Sequence, residues 1–297
     1  MRVTFSAQYR HGLENIEKAA DRLADYQRQV SSGKRLERIS DDPAAAASAL
    51  SERNQLTQLD QYRRTSDSAY SRLTVLDTVM SDIVSKLTAA QSSAVSAAGT
   101  NAGPAQRTAA AQQLAGIKAA LLDDFNQSFQ GNYIFAGTKS TDKPYVSGVG
   151  GVVAPYAGST TEVFVDIAQG RIVPVGVDGG AITQGSATSD VFATIDSLIT
   201  AINAGDNDAI TTGVAALGDA FTRVTTAQSR VGTAMMTIEA EQERLGSVKI
   251  ASTRRLSQLE DANMVDAISG MQNADTAYKA ALAATANMGK TSLMDYL

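Results

Sequence analysis

The 297-residue chain has no cysteine, no tryptophan, one histidine (His11), five prolines and only 5% aromatic residues. Without Cys it can form no disulfide framework, no thiolate zinc site and no thiol nucleophile. One imidazole also excludes the two-histidine HExxH metal site. So few large rings leave a thin interior, and the abundant Ala, Ser and Thr suit helices packed closely side by side. No apolar run reaches the ~18 residues of a membrane span. Arg2, Arg10 and His11 interrupt the N-terminal stretch, so no cleaved secretory signal is expected; that fits the cytosol or export by a route without one. A basic stripe with interleaved aromatics is missing, which argues against nucleic acid as a partner.

The acidic candidates for chemistry have simpler readings. Asp41-Asp42 precede Pro43, so Asp42 is expected to cap a helix and Asp41 to sit in a solvated turn. Asp206-Asn207-Asp208 has a calcium-loop flavour but lacks the required Gly and the distal Glu, so it reads as a helix start. Gly148-Val149-Gly150-Gly151 lacks a following GK[ST] and reads as a turn, Asp123-Asp124 as a charged helix face, and His11 as a solvated or assembly-contacting side chain. No catalytic, cofactor or metal residues are assigned.

What the chain does have is helical periodicity. Tyr9, Leu13, Ile16, Ala20, Leu23, Gln27 and Val30 alternate steps of four and three, and Ser31-Ser32-Gly33 ends that helix. From Pro43 to about Ala98 a longer seam runs through Leu59, Leu73, Leu76, Met80, Ile83, Leu87 and Ala94, interrupted by the polar Ser66. Such a helix would be roughly 80 Å long at 1.5 Å per residue, which implies a rod. Pro104 starts a third helix, expected to end near Gly131 and to fold back on the second. Another seam runs from Ile210 to Leu245, where Gln228 and Gln242 are expected to set register. A new phase, Met264, Ala267, Met271, Ala274, Tyr278, Ala281, Thr285 and Met288, begins near Asn263 and resembles a stutter. The apolar tail Leu293-Met294-Asp295-Tyr296-Leu297 calls for a covering partner.

Gly and Pro crowd into residues 132–185, where Val163 to Ile167 and Ile172 to Val177 flank Gln169-Gly170 as a hairpin, with Pro174 marking an edge strand. The expected fold is therefore mainly α, an elongated rod of N- and C-terminal helices paired in two tiers. Residues 1–38 with 256–297 form a terminal coiled coil, 39–135 with 188–255 a helical bundle, and 136–187 a small β-rich outward-facing insert. Short terminal helices are marginal alone, so neighbouring copies would supply burial. Leu13, Ile16, Leu23, Val30, Met264, Ile268, Met271, Tyr278 and Leu282 are the residues assigned to packing between subunits.

Three motifs carry a resemblance. Arg38-Ile39-Ser40-Asp41-Asp42-Pro43-Ala44-Ala45-Ala46 resembles the N-terminal region of the flagellin superfamily. Gly131-Asn132-Tyr133-Ile134-Phe135-Ala136-Gly137-Thr138 and the ending from Ala280 to Leu297 resemble the hook–filament junction proteins within it. The resemblance implies a structural, non-enzymatic flagellar component without cofactors, exported by the type III route and assembled as a homo-oligomeric ring outside the cell. Its implied partners are hook-associated protein 1, flagellin and a cytosolic export chaperone holding the C-terminal segment. A short flagellin that builds the filament itself is the alternative. A secreted receptor- or glycan-binding module is another, and its cue would be a concave cluster among Tyr133, Phe135, Tyr145, Tyr156 and Phe164.

Overall fold

The computed structural model describes residues 5–99, 102–148, 151–185 and 190–294. The element order is α1 (Phe5–Ser32), α2 (Pro43–Ala97), α3 (Pro104–Phe125), β1 (Ser128–Phe129), β2 (Asn132–Tyr133), β3 (Phe164–Ala168), β4 (Arg171–Pro174), α4 (Gly179–Thr183), α5 (Val191–Ala204), α6 (Asn207–Glu260) and α7 (Met264–Met294). Helices dominate, and among the described residues the strands make two small antiparallel pairs, as a mainly α chain with a small β insert requires. The chain divides into two compact units, residues 1–58 with 247–297 and residues 59–246. Both divisions fall inside continuous helices, α2 and α6, so each helix supplies residues to both units.

In the 59–246 unit the second seam packs as its spacing dictates. Ser66, Ala69, Leu73, Leu76, Met80, Ile83, Leu87, Ala90, Ala94 and Ala97 are all buried. From α6, Ile210, Leu217, Val224, Val231 and Ile238 join the same core. Each seam glutamine makes a contact between the helices: Gln228 Nε2 donates to Asp77 Oδ1 at 3.0 Å and Gln242 Nε2 to Asp67 Oδ1 at 2.8 Å. Falling numbers on α2 meet rising numbers on α6, so the two helices run antiparallel here. The Gln228 contact, partly buried, favours this register more than the exposed Gln242 one, where water replaces a lost partner.

Helix α3 ends at Phe125, not near Gly131. Asn126 closes it, and Asn126 Nδ2 donates to Tyr145 O while its Oδ1 accepts from Tyr145 N. A two-residue β-turn then connects β1 to β2, with Gln130 at φ 51 and Gly131 at φ 81. Both central residues therefore lie in the left-handed region, the geometry of a tight hairpin turn. Helix α5 was not anticipated as a separate element. Asp190 caps its start by accepting from Ala193 N, Gly205 ends it in the left-handed conformation, and Asp206 then caps α6 by accepting from Ala209 N. The expected helix start at Asp206 is thus observed, with another helix immediately before it.

The expected hairpin is β3–β4, with Val165 opposite Val173, Asp166 opposite Ile172 and a bulge between Asp166 and Ala168. Ile167, Val173 and Val175 face the core, whereas Phe164 and Ile172 are exposed. Phe125, Phe135, Tyr145 and Phe192 meet edge-on or tilted, with neighbouring centroids 5.2–5.9 Å apart. Four of the five aromatics named as a possible glycan cluster are spent otherwise: Phe135 and Tyr145 are buried, and Tyr133 and Tyr156 are half-buried. Burial pushes the Tyr145 hydroxyl far up from its ordinary value, and it bonds Gly179 O and Thr183 Oγ1.

Gly137 lies at φ +61, and a Cβ there would stand 2.1 Å from Ser159 O. Gly131 has a similar φ of +81 but nothing within 4 Å. Gly131→Ala should therefore cost only the left-handed penalty, about 1 kcal/mol, whereas Gly137→Ala adds a backbone collision and should cost at least about 2–3 kcal/mol. Denaturant midpoints of the two variants, compared at equal m, measure the difference.

Candidate assembly surfaces

The 1–58/247–297 unit is built around a turn in each chain segment. Gly33 ends α1 at φ 71, and residues 34–36 run beside the α6–α7 junction. Arg35 N and Leu36 N donate to Glu260 O at 2.7 and 3.3 Å, and Ala262 N donates to Gly33 O at 2.9 Å. The phase change near Asn263 is a break between two helices and not a stutter within one. Asn263 starts α7, its Oδ1 accepting from Val265 N and its carbonyl from Ala267 N. Leu36, Ala45 and Ala49 bury together, with Leu256 and Leu259 packed against them.

Glu260 holds this junction. Its side chain is 5% exposed and meets Lys34 Nζ at 3.1 Å and an Arg53 guanidinium nitrogen at 2.7 Å. Burial alone would raise its pKa, but the hydrogen bonds and charges of Arg53 and Lys34 outweigh that and hold the carboxyl below its ordinary 4.5. A depressed carboxylate pKa contributes stability above the unfolded value and loses it as pH falls through the folded one. Glu260→Gln should therefore cost about 1–2 kcal/mol at pH 7, a modest figure because both cations are partly solvated. The gap to wild type should narrow as pH falls below the ordinary carboxylate range and through the lowered folded pKa, as a series of urea melts at falling pH would show.

The Asp41-Asp42-Pro43 motif is local architecture. Asp41 Oδ2 accepts from Arg38 N at 2.8 Å and Glu37 N at 3.3 Å, and the Arg38 backbone hydrogen bond leads the lowering of its pKa. Asp42 Oδ1 accepts from Ala45 N at 3.0 Å, and Pro43 is the first residue of α2. Glycine and ring placement explain the second motif: Gly131 turns the β1–β2 hairpin, Tyr133 N donates to Ser140 O, Phe135 is buried, and Gly137 passes under Ser159.

Helices α1 and α7 pair antiparallel. A Cβ on Gly12 would meet Thr285 at 3.0 Å, and one on Gly270 would meet the Tyr26 ring at 2.5 Å. The nine residues assigned to subunit packing separate into two groups. Ile16, Leu23, Val30, Met271 and Tyr278 are half-buried on the paired helices. Leu13, Met264, Ile268 and Leu282 remain exposed, as do Tyr9 and Val265. The α1 stripe is rotated from the expected one, because Gly12 and Tyr26 make contacts that a purely apolar count overlooks. Small residues in an otherwise amphipathic helix were the available signal for this close approach. His11 is exposed, 3.6 Å from Glu14. Among the described residues no group of three or more His, Cys, Asp or Glu could hold a metal, and no helix is long and apolar enough to cross a membrane. Thr100-Asn101, Val149-Gly150, the Met288 side chain, the side chains of residues 289–294 and the end of the tail, residues 295–297, lie outside the described residues.

The chain was compared with known proteins. The family profile described as the bacterial flagellin N-terminal helical region matches residues 6–140, and that of the C-terminal helical region matches 214–297. The flagellar hook-associated protein 3 of Escherichia coli is 26% identical, covering 99% of this chain and 98% of that protein. Its Salmonella typhimurium counterpart is 27% identical over 61% of this chain and 56% of that protein. Among solved structures, a putative flagellar hook-associated protein from Vibrio parahaemolyticus superposes with a TM-score of 0.70 at 17% identity, over 74% of this chain and all of that one. The flagellar junction protein FlgL from Legionella pneumophila gives 0.61 at 14% identity, over 72% of this chain and all of that one. The two profiles take in α1 through β2 and most of α6 with all of α7, the same helices that carry the seams, and on that ground the chain belongs to the flagellin superfamily.

Proposed function

We propose that the chain is a structural junction protein of the bacterial flagellum, forming an adaptor ring between hook-associated protein 1 and the flagellin filament. The observation that carries this reading is similarity to a hook-associated protein 3 along nearly the full length of both chains, with all the seam helices inside it. Its work is mechanical and not enzymatic. The α1–α7 pair supplies contact surface to neighbouring copies, with Leu13, Met264, Ile268 and Leu282 presented outward and the other five residues holding the pair together. The protein acts outside the cell after type III export without a cleaved signal, and a cytosolic chaperone covers the C-terminal segment beforehand.

A short flagellin would present similar helices, so polymerisation separates the two. Purified chain added to filament seeds should not extend them, as electron microscopy would show. Long filaments grown from this chain would make it a filament subunit and overturn the junction reading.

A further inference from the structure

Of the Arg38–Pro43 motif, Asp41, Asp42 and Pro43 are explained by the turn and the cap, whereas Arg38 and Ile39 are not. Ile39 is 77% exposed and stands at the edge of a groove of about 360 Å³ between the 36–43 segment and the first turns of α2. Pro43, Ala46, Ala47 and Leu50 continue its wall, and Leu50 is 59% exposed. An apolar groove flanked by such side chains is uncomfortable in water. Elsewhere in the same unit, the first turns of α7 present a second apolar surface: Val265 is 75% exposed, with Met264 and Ile268 at 40% and 41%. None of these three lines the groove.

The charges beside the two surfaces are opposite. Glu37, Arg38, Arg53 and Glu260 all line the groove, but Arg53 is paired with Glu260 and Glu37 lies 3.8 Å from Arg28, which leaves the Arg38 charge, whereas Asp266 lies among the α7 residues. Neither Arg38 nor Asp266 has an ion-pair partner within 4.0 Å among the described residues. We propose that the groove receives the start of α7 from a second copy of this chain, seating Val265 and Ile268 against Ile39 and Leu50 and pairing Asp266 with Arg38. Two different patches of one chain meeting in this way form a heterologous contact, the kind that repeats around a ring when the rotation between copies closes. The inference rests on the junction reading, because it supplies one of the contacts that such a ring needs.

The absence of native cysteine makes introduced thiols unambiguous. Two alleles, Ile39→Cys and Val265→Cys, are expressed together in cells lacking the native gene, and isolated flagella are treated with a short bismaleimide. A product of about twice the 31.1 kDa chain mass is expected only when both alleles are present. The control is Lys34→Cys with Asp261→Cys, which are bridge partners within one chain. Control linkage without the two-allele product overturns the proposal, and so does linkage of Val265→Cys to flagellin or to hook-associated protein 1.

A charge exchange keeps the test sound should the thiol variants fail to assemble. Arg38→Glu and Asp266→Arg should each reduce the fraction of cells with filaments about tenfold, and their combination should restore it; tenfold corresponds to about 1.4 kcal/mol. Failure of the combination to rescue, with both single variants helical and secreted, contradicts the contact. Filaments that form without the native gene sink the junction reading itself, so the two failures remain distinguishable.

Discussion

Met271→Asp is expected to abolish filament assembly while leaving the 59–246 unit folded. Met271 is half-buried on α7, which pairs with α1. A carboxylate there replaces apolar contact with a charge, and either it is partly desolvated or the pair opens, both of which weaken the pairing. Two helices of 28 and 31 residues have little cooperative reserve against such a loss. The 59–246 unit has its own core and does not contain the substituted position. Leu23→Asp, on the opposite helix of the pair, should behave alike. Circular dichroism should show a partial loss of helix with the main unfolding transition retained, and motility plates should show no swimming. Normal filaments from either variant would remove the terminal pair from the mechanism.

Phe125→Ala should produce the largest loss of folding stability, roughly 3–5 kcal/mol, the range for emptying a buried aromatic site. Phe125 is 1% exposed and touches Phe135, Tyr145 and Phe192 at once. Its removal loosens the end of α3, the segment carrying Gly137, the insert and the start of α5 together. Neighbouring rings are held from several directions and cannot collapse far into the space. Tyr145→Phe at the same knot should cost less, about 1–2 kcal/mol, since it deletes the hydroxyl bonds and retains the ring. Chemical denaturation of both variants would establish the order.

The sequence disclosed the fold where one period governs a long stretch. Ten successive seam positions of α2, from Ser66 to Ala97, are buried, because a helix of 55 residues with a single apolar face leaves little choice of packing. The β3–β4 hairpin was legible for a similar reason, alternation around Gln169-Gly170. Legibility failed where a backbone event intervenes over a few residues. Nothing periodic marks the early end of α3, which depends on Asn126 bridging to Tyr145 nineteen positions away. Helix α5 is short, and its capping by Asp190 and Gly205 is visible only once the helix is known to exist.

The candidate surface divided along the same line. Apolar periodicity identified α1 and α7 as contact helices, but it could not say which residues face each other and which face outward. Gly12 against Thr285 and Gly270 against Tyr26 set that rotation, and glycine is invisible to an apolar count. Glu260 was missed because one acid among many on α6 has no local signature. Its role comes from Lys34, 226 positions earlier, and from Arg53 on another helix.

The central claim is that this chain joins hook to filament, and deletion of its gene with complementation tests it most directly. The account predicts cells with intact hooks, no filaments and flagellin released into the medium, all restored by the full-length gene. Filaments of normal length on the deleted strain would contradict it.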